Sequence, residues 1–261
     1  MYLQLAKCVF NQQFQYRESV FFQLVGNFLW IYIQICIWWA LLGVESGNPG
    51  EIGFRDMVAY TTMSFLLGIL TQSNIASELS EKVKTGMIAI DLIRPISLKW
   101  YLFWQQLSAN LFQCLFIAVP IMISAFVLWP YSIPIGINLL MAFVSSILAV
   151  ILIFYFQYTV GLLVFWFKDG TYASMLINGL MELFSGRKIP LWFYPAVLAS
   201  ICEYLPFRFM VYEPIAILLN YYERSEMISI VALQIVWILF FMVLEKIIWK
   251  RLQTHIEVQG G

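Results

Sequence analysis

Side chains able to do covalent chemistry are scarce in this sequence. His255, the only histidine, stands in the C-terminal tail with no neighbouring ligands, and is not expected to form a metal or catalytic site. There is no G-x-x-x-x-G-K-[ST] loop for nucleotide phosphates, no Ser/His/Asp order, no H-E-x-x-H and no G-x-S-x-G. A hydrolase inside a membrane would have to work with Asp and Glu alone, and these fall mostly between the apolar runs. The expectation is that the chain is not an enzyme and binds no cofactor of its own.

What remains is hydrogen-bonding chemistry on helical faces. Gln23, Asn27 and Gln34 recur at spacings of four and seven, with Trp30 and Trp38 on the same side. Thr61, Ser64, Gly68 and Gln72 form a second stripe of small and polar residues. Gln106, Asn110 and Gln113 form a third, and Ser174, Asn178, Glu182 and Ser185 a fourth. Lipid offers these groups no partners, so each face must turn toward protein or water. Two uses stay open: helix–helix glue within a bundle, or the lining of a pathway. The pathway candidates are Gln23, Asn27, Gln34, Thr61, Ser64, Gln72, Asn110, Gln113 and Asn178. Glu182, the one carboxylate on a stripe, is expected to pair with Arg187 or Lys188.

The elements that carry these stripes are membrane helices. Of 261 residues 62% are hydrophobic and 11% charged, against about a quarter charged in soluble domains. Most of the surface must therefore face lipid. The formal net charge is zero, which gives no reason to expect nucleic acid as a partner. Cys8, Cys36, Cys114 and Cys202 are scattered and expected to be reduced. The first residues lack an apolar core followed by a small-residue cleavage site, so no signal peptide is expected. Six spans are predicted near Val20–Gly43, Met57–Ile75, Phe103–Trp129, Ile135–Phe167, Thr171–Ser185 and Ile228–Leu244, the first long enough for a bilayer and the fifth brief, with Pro120 as a kink. Residues 1–19 put Leu3, Ala6, Phe10 and Phe14 on one side and read as an interfacial helix. Residues 186–227 are broken by Pro190, Pro195, Pro206 and Pro214 and are dense in aromatics, as in re-entrant or interfacial segments.

The longest charged interruption runs from Glu78 to Lys99, within a segment of residues 76–100. Leu79, Val83, Met87 and Ile90 share one helical face, and Glu78, Glu81, Lys82 and Lys84 the other. Glu78 and Lys82 stand in the favourable order for an i,i+4 ion pair. Gly86 loosens the middle, and Pro95 should end the helix because Arg94 is pushed out of the α region. Such a helix either lies flat on the bilayer or sits in a groove of a partner.

With an inside N-terminus and six spans, the inner side holds Lys7, Arg17, Lys82, Lys84, Arg94, Lys99, Lys168, Lys246, Lys250 and Arg251. The outer side holds Arg55, Arg187, Lys188, Arg208 and Arg224. Ten against five places both termini and the amphipathic stretch in the cytoplasm.

Three segments carry a family resemblance. KTGMIAIDLIRPIS, then FSGRKIPLWFYP with YLPFRFMVYEPIAIL, and the ending VQGG resemble, in order, the corresponding parts of the membrane subunits of type-2 ABC exporters, in the six-span branch of this chain's length. The resemblance implies an all-α polytopic fold with six transmembrane helices, an N-terminal interfacial helix, a cytoplasmic coupling helix and re-entrant segments before the last span. It implies two permease subunits, identical or paralogous, and two separate ABC ATPase subunits that hold ATP and Mg. It makes Glu81, Lys84, Gly86, Met87, Asp91, Leu92, Arg94 and Pro95 the ATPase-contact candidates, and Lys99-Trp100 departs from the apolar character expected after the Arg-Pro. The expected function is that of an exporter permease in the cytoplasmic (inner) membrane, moving an amphipathic or hydrophobic substrate by alternating access. The alternatives are a channel or secondary transporter that needs no ATPase, and a membrane-anchored immunity or binding protein.

Overall fold

The structure, a computed structural model, describes residues 2–43, 52–93, 96–167 and 171–252. Every regular element among them is helical. The acidic loop after the first span, the Arg94-Pro95 pair, the Lys168-Asp169-Gly170 turn and the tail with His255 and VQGG lie outside the described residues.

The N-terminal α1 (Tyr2–Gln13) leads through a short 3-10 turn into α2 (Arg17–Leu42). Next come α3 (Phe54–Leu70), α4 (Ile75–Lys84) and α5 (Ile88–Ile93). The third expected span is α6 (Leu98–Gln113), a π turn over Cys114–Ala118, and α7 (Val119–Leu128). Pro120 has no N–H to continue the ladder, and directly before it Val119 donates to the Cys114 carbonyl, five residues back. The kink is thus a π bulge set beside the proline. The remainder is α8 (Ile137–Phe167), α9 (Thr171–Phe184), α10 (Ala196–Glu203), α11 (Tyr212–Leu218) and α12 (Arg224–Leu252).

Four stretches are long and apolar enough to cross a membrane: Glu18–Leu42, Leu98–Leu128, Ile137–Leu163 and Arg224–Leu252. The helices at the second and fifth expected spans fall short of that length, the fifth as its sequence led us to expect. α3 has 17 residues and α9 has 14, about 25 and 21 Å of helix against a hydrocarbon core of about 30 Å. The polar run TQSN ends α3 before Ile75, and Ile75 itself begins α4.

α8 is the axis, with α4, α11 and α12 all packed on it. Gln234 of α12 is fully buried and joins three elements. Its Nε2 donates to the carbonyls of Ser145 and Phe209, while its Oε1 accepts from the Ser145 hydroxyl. Gln234→Leu strands these groups away from water and is expected to cost about 1–3 kcal/mol, read as a lower unfolding temperature of the detergent-solubilised chain.

The C-terminal end of the apolar side of residues 1–19 meets protein, while Leu3 stays exposed. Phe10 and Phe14 pack edge-on against Phe112, and Phe14 also against Phe116. In the proline-broken region each proline stands where a missing N–H does least harm, at or just inside the start of a short element. Several of its aromatics are core residues and not interface anchors. Phe207, Phe209 and Tyr212 are buried, and Trp192 stacks on Tyr221.

Candidate functional site

The four polar stripes converge on one place. A partly open cavity of about 650 Å³ is lined by Gln23 and Asn27 of α2, Gln72, Ser73 and Asn74 of the α3–α4 corner, and Gln113 of α6. Gln157 of α8 and Asn178 and Glu182 of α9 close it with Ser185 and Arg187. Phe65, Ile69, Met181 and Val211 form its apolar side. The volume is that of a small-molecule site.

Each stripe divides its residues between lining and glue. On α2, Gln23 and Asn27 line the cavity, but Gln34 donates to the Lys188 carbonyl at 3.2 Å and Trp38 stacks on Phe193. On α3, Ser64 donates to the Arg187 carbonyl at 2.6 Å, and Thr61 is buried outside the lining. Gln72 alone of that stripe's pathway candidates reaches the cavity. Asn110 also leaves the expected pathway. Its Nδ2 donates to the Leu70 and Gln72 carbonyls at 2.9 and 2.7 Å, satisfying acceptors that the end of α3 leaves open. Gln106 accepts from the Asn74 N–H and donates to Asn110. The α3–α4 corner is therefore held by α6, and one helical turn further on Gln113 faces the cavity.

Sequence reasoning missed Gln157, whose signal was a lone amide in an otherwise apolar run, and Arg187 as a lining residue. The segment after α9 folds back along α3. Tyr60 donates to the Gly186 carbonyl at 2.6 Å, and the Arg187 side chain reaches on to Gly68. A Cβ on Gly68 would stand 2.5 Å from the Arg187 Nε, so the glycine is what lets the guanidinium lie on α3. Glu182 pairs with both expected cations, Lys188 at 2.9 Å and Arg187 at 3.6 Å.

From this corner the chain enters the amphipathic stretch. Gly86 does more than loosen it. At φ +73° it is in the left-handed region that favours glycine, and it splits the stretch into α4 and α5. The apolar face is split as well. Leu79 is buried against Gly161 of α8, where an added Cβ would lie 2.7 Å from Leu79 Cδ1 and 3.2 Å from the Ala76 backbone. Met87, Ile90 and Ile93 are instead 52, 50 and 83% exposed.

Lys82 joins the two helices. Its Nζ lies 2.8 Å from Glu78, in the expected i,i+4 pair, and 2.9 Å from Asp91 of α5, with the Tyr101 ring 5.3 Å away. Burial by itself lowers the Lys82 pKa, but the hydrogen bonds to Glu78 and Asp91 outweigh it and hold the ammonium above its ordinary value. Asp91, expected at an outward contact, is buried and turned onto Lys82. Glu81, Lys84, Gly86 and Met87 are exposed. Arg94, Pro95 and the Leu92 side chain lie outside the described residues.

Membrane-length apolar helices around a cavity of amide side chains define an integral, multi-pass membrane protein. The chain belongs to the ABC-2 family of transporter proteins, whose family model matches residues 19–259. No curated protein matches it. Membership makes it the membrane (permease) subunit type of an ABC transporter, which is not generally catalytic itself and associates with an ABC ATPase and the bilayer.

Proposed function

We propose that this chain is the permease subunit of an ATP-driven exporter, carrying an amphipathic or hydrophobic substrate through the polar cavity by alternating access. α3 and α9 complete six crossings, both termini are cytoplasmic, and a second permease subunit, identical or paralogous, faces this one in the inner membrane. ATP and Mg are held by the partner ATPase, and the chain itself binds neither.

One observation carries the reading: Gln72, Ser73 and Asn74 line the cavity and run directly into α4. Wall and lever are one continuous piece of chain. α4 is packed on α8, and the α5 end presents Met87, Ile90 and Ile93 outward. An apolar groove on the ATPase would cover these three residues. Closure of the ATPases on ATP then carries α5 and α4 together, tilts the α3–α4 corner and changes the side to which the cavity opens. Only differential contact with the two ATPase states can drive this motion.

The triple change Met87→Asp, Ile90→Asp, Ile93→Asp is expected to leave membrane insertion intact. It should abolish co-purification of a P-loop ATPase in mild detergent and lower substrate-stimulated ATP hydrolysis at least tenfold. Retention of the ATPase by this variant would overturn the docking surface.

A further inference from the structure

The cavity holds more hydrogen-bonding capacity than the fold uses. Among the described residues, the Gln72, Gln113 and Asn178 side chains make no hydrogen bond, and the Gln157 amide donates only to the Met181 sulfur at 3.7 Å. Arg187 is the sharper case. Its guanidinium carries five N–H donors in a fixed fork. Among the described residues their nearest acidic partner is Glu182 at 3.6 Å, which is an ion pair too long for a good hydrogen bond. That carboxylate is shared with Lys188, which holds it more closely at 2.9 Å. Among the described residues Glu182 is the only acidic one in the lining. Two cations thus stand over one carboxylate, and the guanidinium faces the cavity with donors to spare. Gly68 has no side chain to push it away.

We infer that Arg187 is a substrate-binding residue, and that the substrate is an amphipathic molecule whose head group is an oxyanion, phosphate or carboxylate. The planar fork matches two oxygens of such a group. The free amide N–H groups of Gln113 and Asn178 supply further donors, and Phe65, Ile69 and Val211 receive the apolar part. Glu182 is the competitor that the head group displaces from Arg187, and Lys188 keeps Glu182 neutralised when that happens. The inference rests on the transport reading above and adds the chemical class of the cargo.

The test is binding to the full chain in phosphatidylcholine nanodiscs without any ATPase, with empty discs subtracted. The probes are dodecyl phosphate below its micelle concentration, dodecanol and inorganic phosphate. Dodecyl phosphate is expected to bind at least tenfold tighter than either of the other two. Arg187→Gln should weaken dodecyl phosphate at least tenfold and leave dodecanol unchanged, while Arg187→Lys, which keeps the charge without the fork, should fall between. Glu182→Gln leaves the arginine in place and should bind dodecyl phosphate at least threefold tighter, so the inference is exposed even if Arg187→Gln does not fold. Equal binding of dodecanol, equal binding of inorganic phosphate, an unaffected Arg187→Gln or an unaffected Glu182→Gln would each overturn it. Because no ATPase is present, failure here leaves the coupling proposal standing, and failure of the triple docking variant leaves this one standing.

Discussion

Lys82→Glu is expected to uncouple the transporter, lowering substrate-stimulated ATP hydrolysis by the assembled complex at least tenfold while the chain still inserts in the membrane. The substitution replaces the shared cation between Glu78 and Asp91 with a third carboxylate. It converts two attractions into two repulsions, one within α4 and one across the Lys82–Asp91 pair that joins α4 to α5. Losing a fully buried pair costs about 3–5 kcal/mol, and here roughly 2–3 kcal/mol is expected because part of the Lys82 side chain is open to solvent. That energy falls on the orientation of α5, so the apolar residues at its exposed end lose their fixed position relative to α4. Hydrogen exchange of the α5 amides measures this directly and should speed up with little change in α8. The double variant Lys82→Glu, Asp91→Lys restores opposite charges across the α4–α5 gap and should recover part of both readouts. No recovery would mean that Lys82 acts elsewhere.

The same clamp gives a pH dependence of known sign. The Lys82 pKa is raised in the folded chain, so its contribution is full below the unfolded value and is lost only as pH rises through the folded one. The α4–α5 corner is therefore held throughout the neutral range. An Asp91 charge reversal, which sequence alone frames as a loss of contact with a partner, should act instead by releasing this corner.

The second large effect is expected at Gly161→Val. The added Cβ would meet Leu79 Cδ1 at 2.7 Å and the backbone of Ala76 at 3.2 Å. The leucine tip can move, but the Ala76 backbone cannot without shifting α4. Overpacking of this kind costs about 1–3 kcal/mol, and more where backbone must yield. α4 should be pushed off α8, carrying Gln72, Ser73 and Asn74 with it and changing the cavity wall. A strong loss of transport and of transport-linked ATP hydrolysis, with the ATPase still bound, is the expected outcome. It separates a lever that has lost its fulcrum from one that has lost its motor. Normal transport by Gly161→Val would show that α4 does not need its seat on α8.

An all-helical membrane chain with polar stripes on four of its helices is legible from composition and residue spacing. Bilayer thickness and the 3.6-residue repeat act on composition and spacing alone, so these features need no knowledge of neighbours. The Glu78–Lys82 pair and the pairing of Glu182 with Arg187 and Lys188 are legible too, since each joins residues near in the chain. Which stripe residues face the cavity depends on how the helices pack. Gln113 and Asn110 share one face of α6, yet one lines the site and the other caps α3, because the end of α3 brings open carbonyls to Asn110. The inward turn of Asp91 and the reach of Arg187 to Gly68 were likewise illegible, since each depends on a partner brought close by folding. Periodicity fixes the direction in which a side chain points, and what stands in that direction is settled only when helices far apart in sequence pack together.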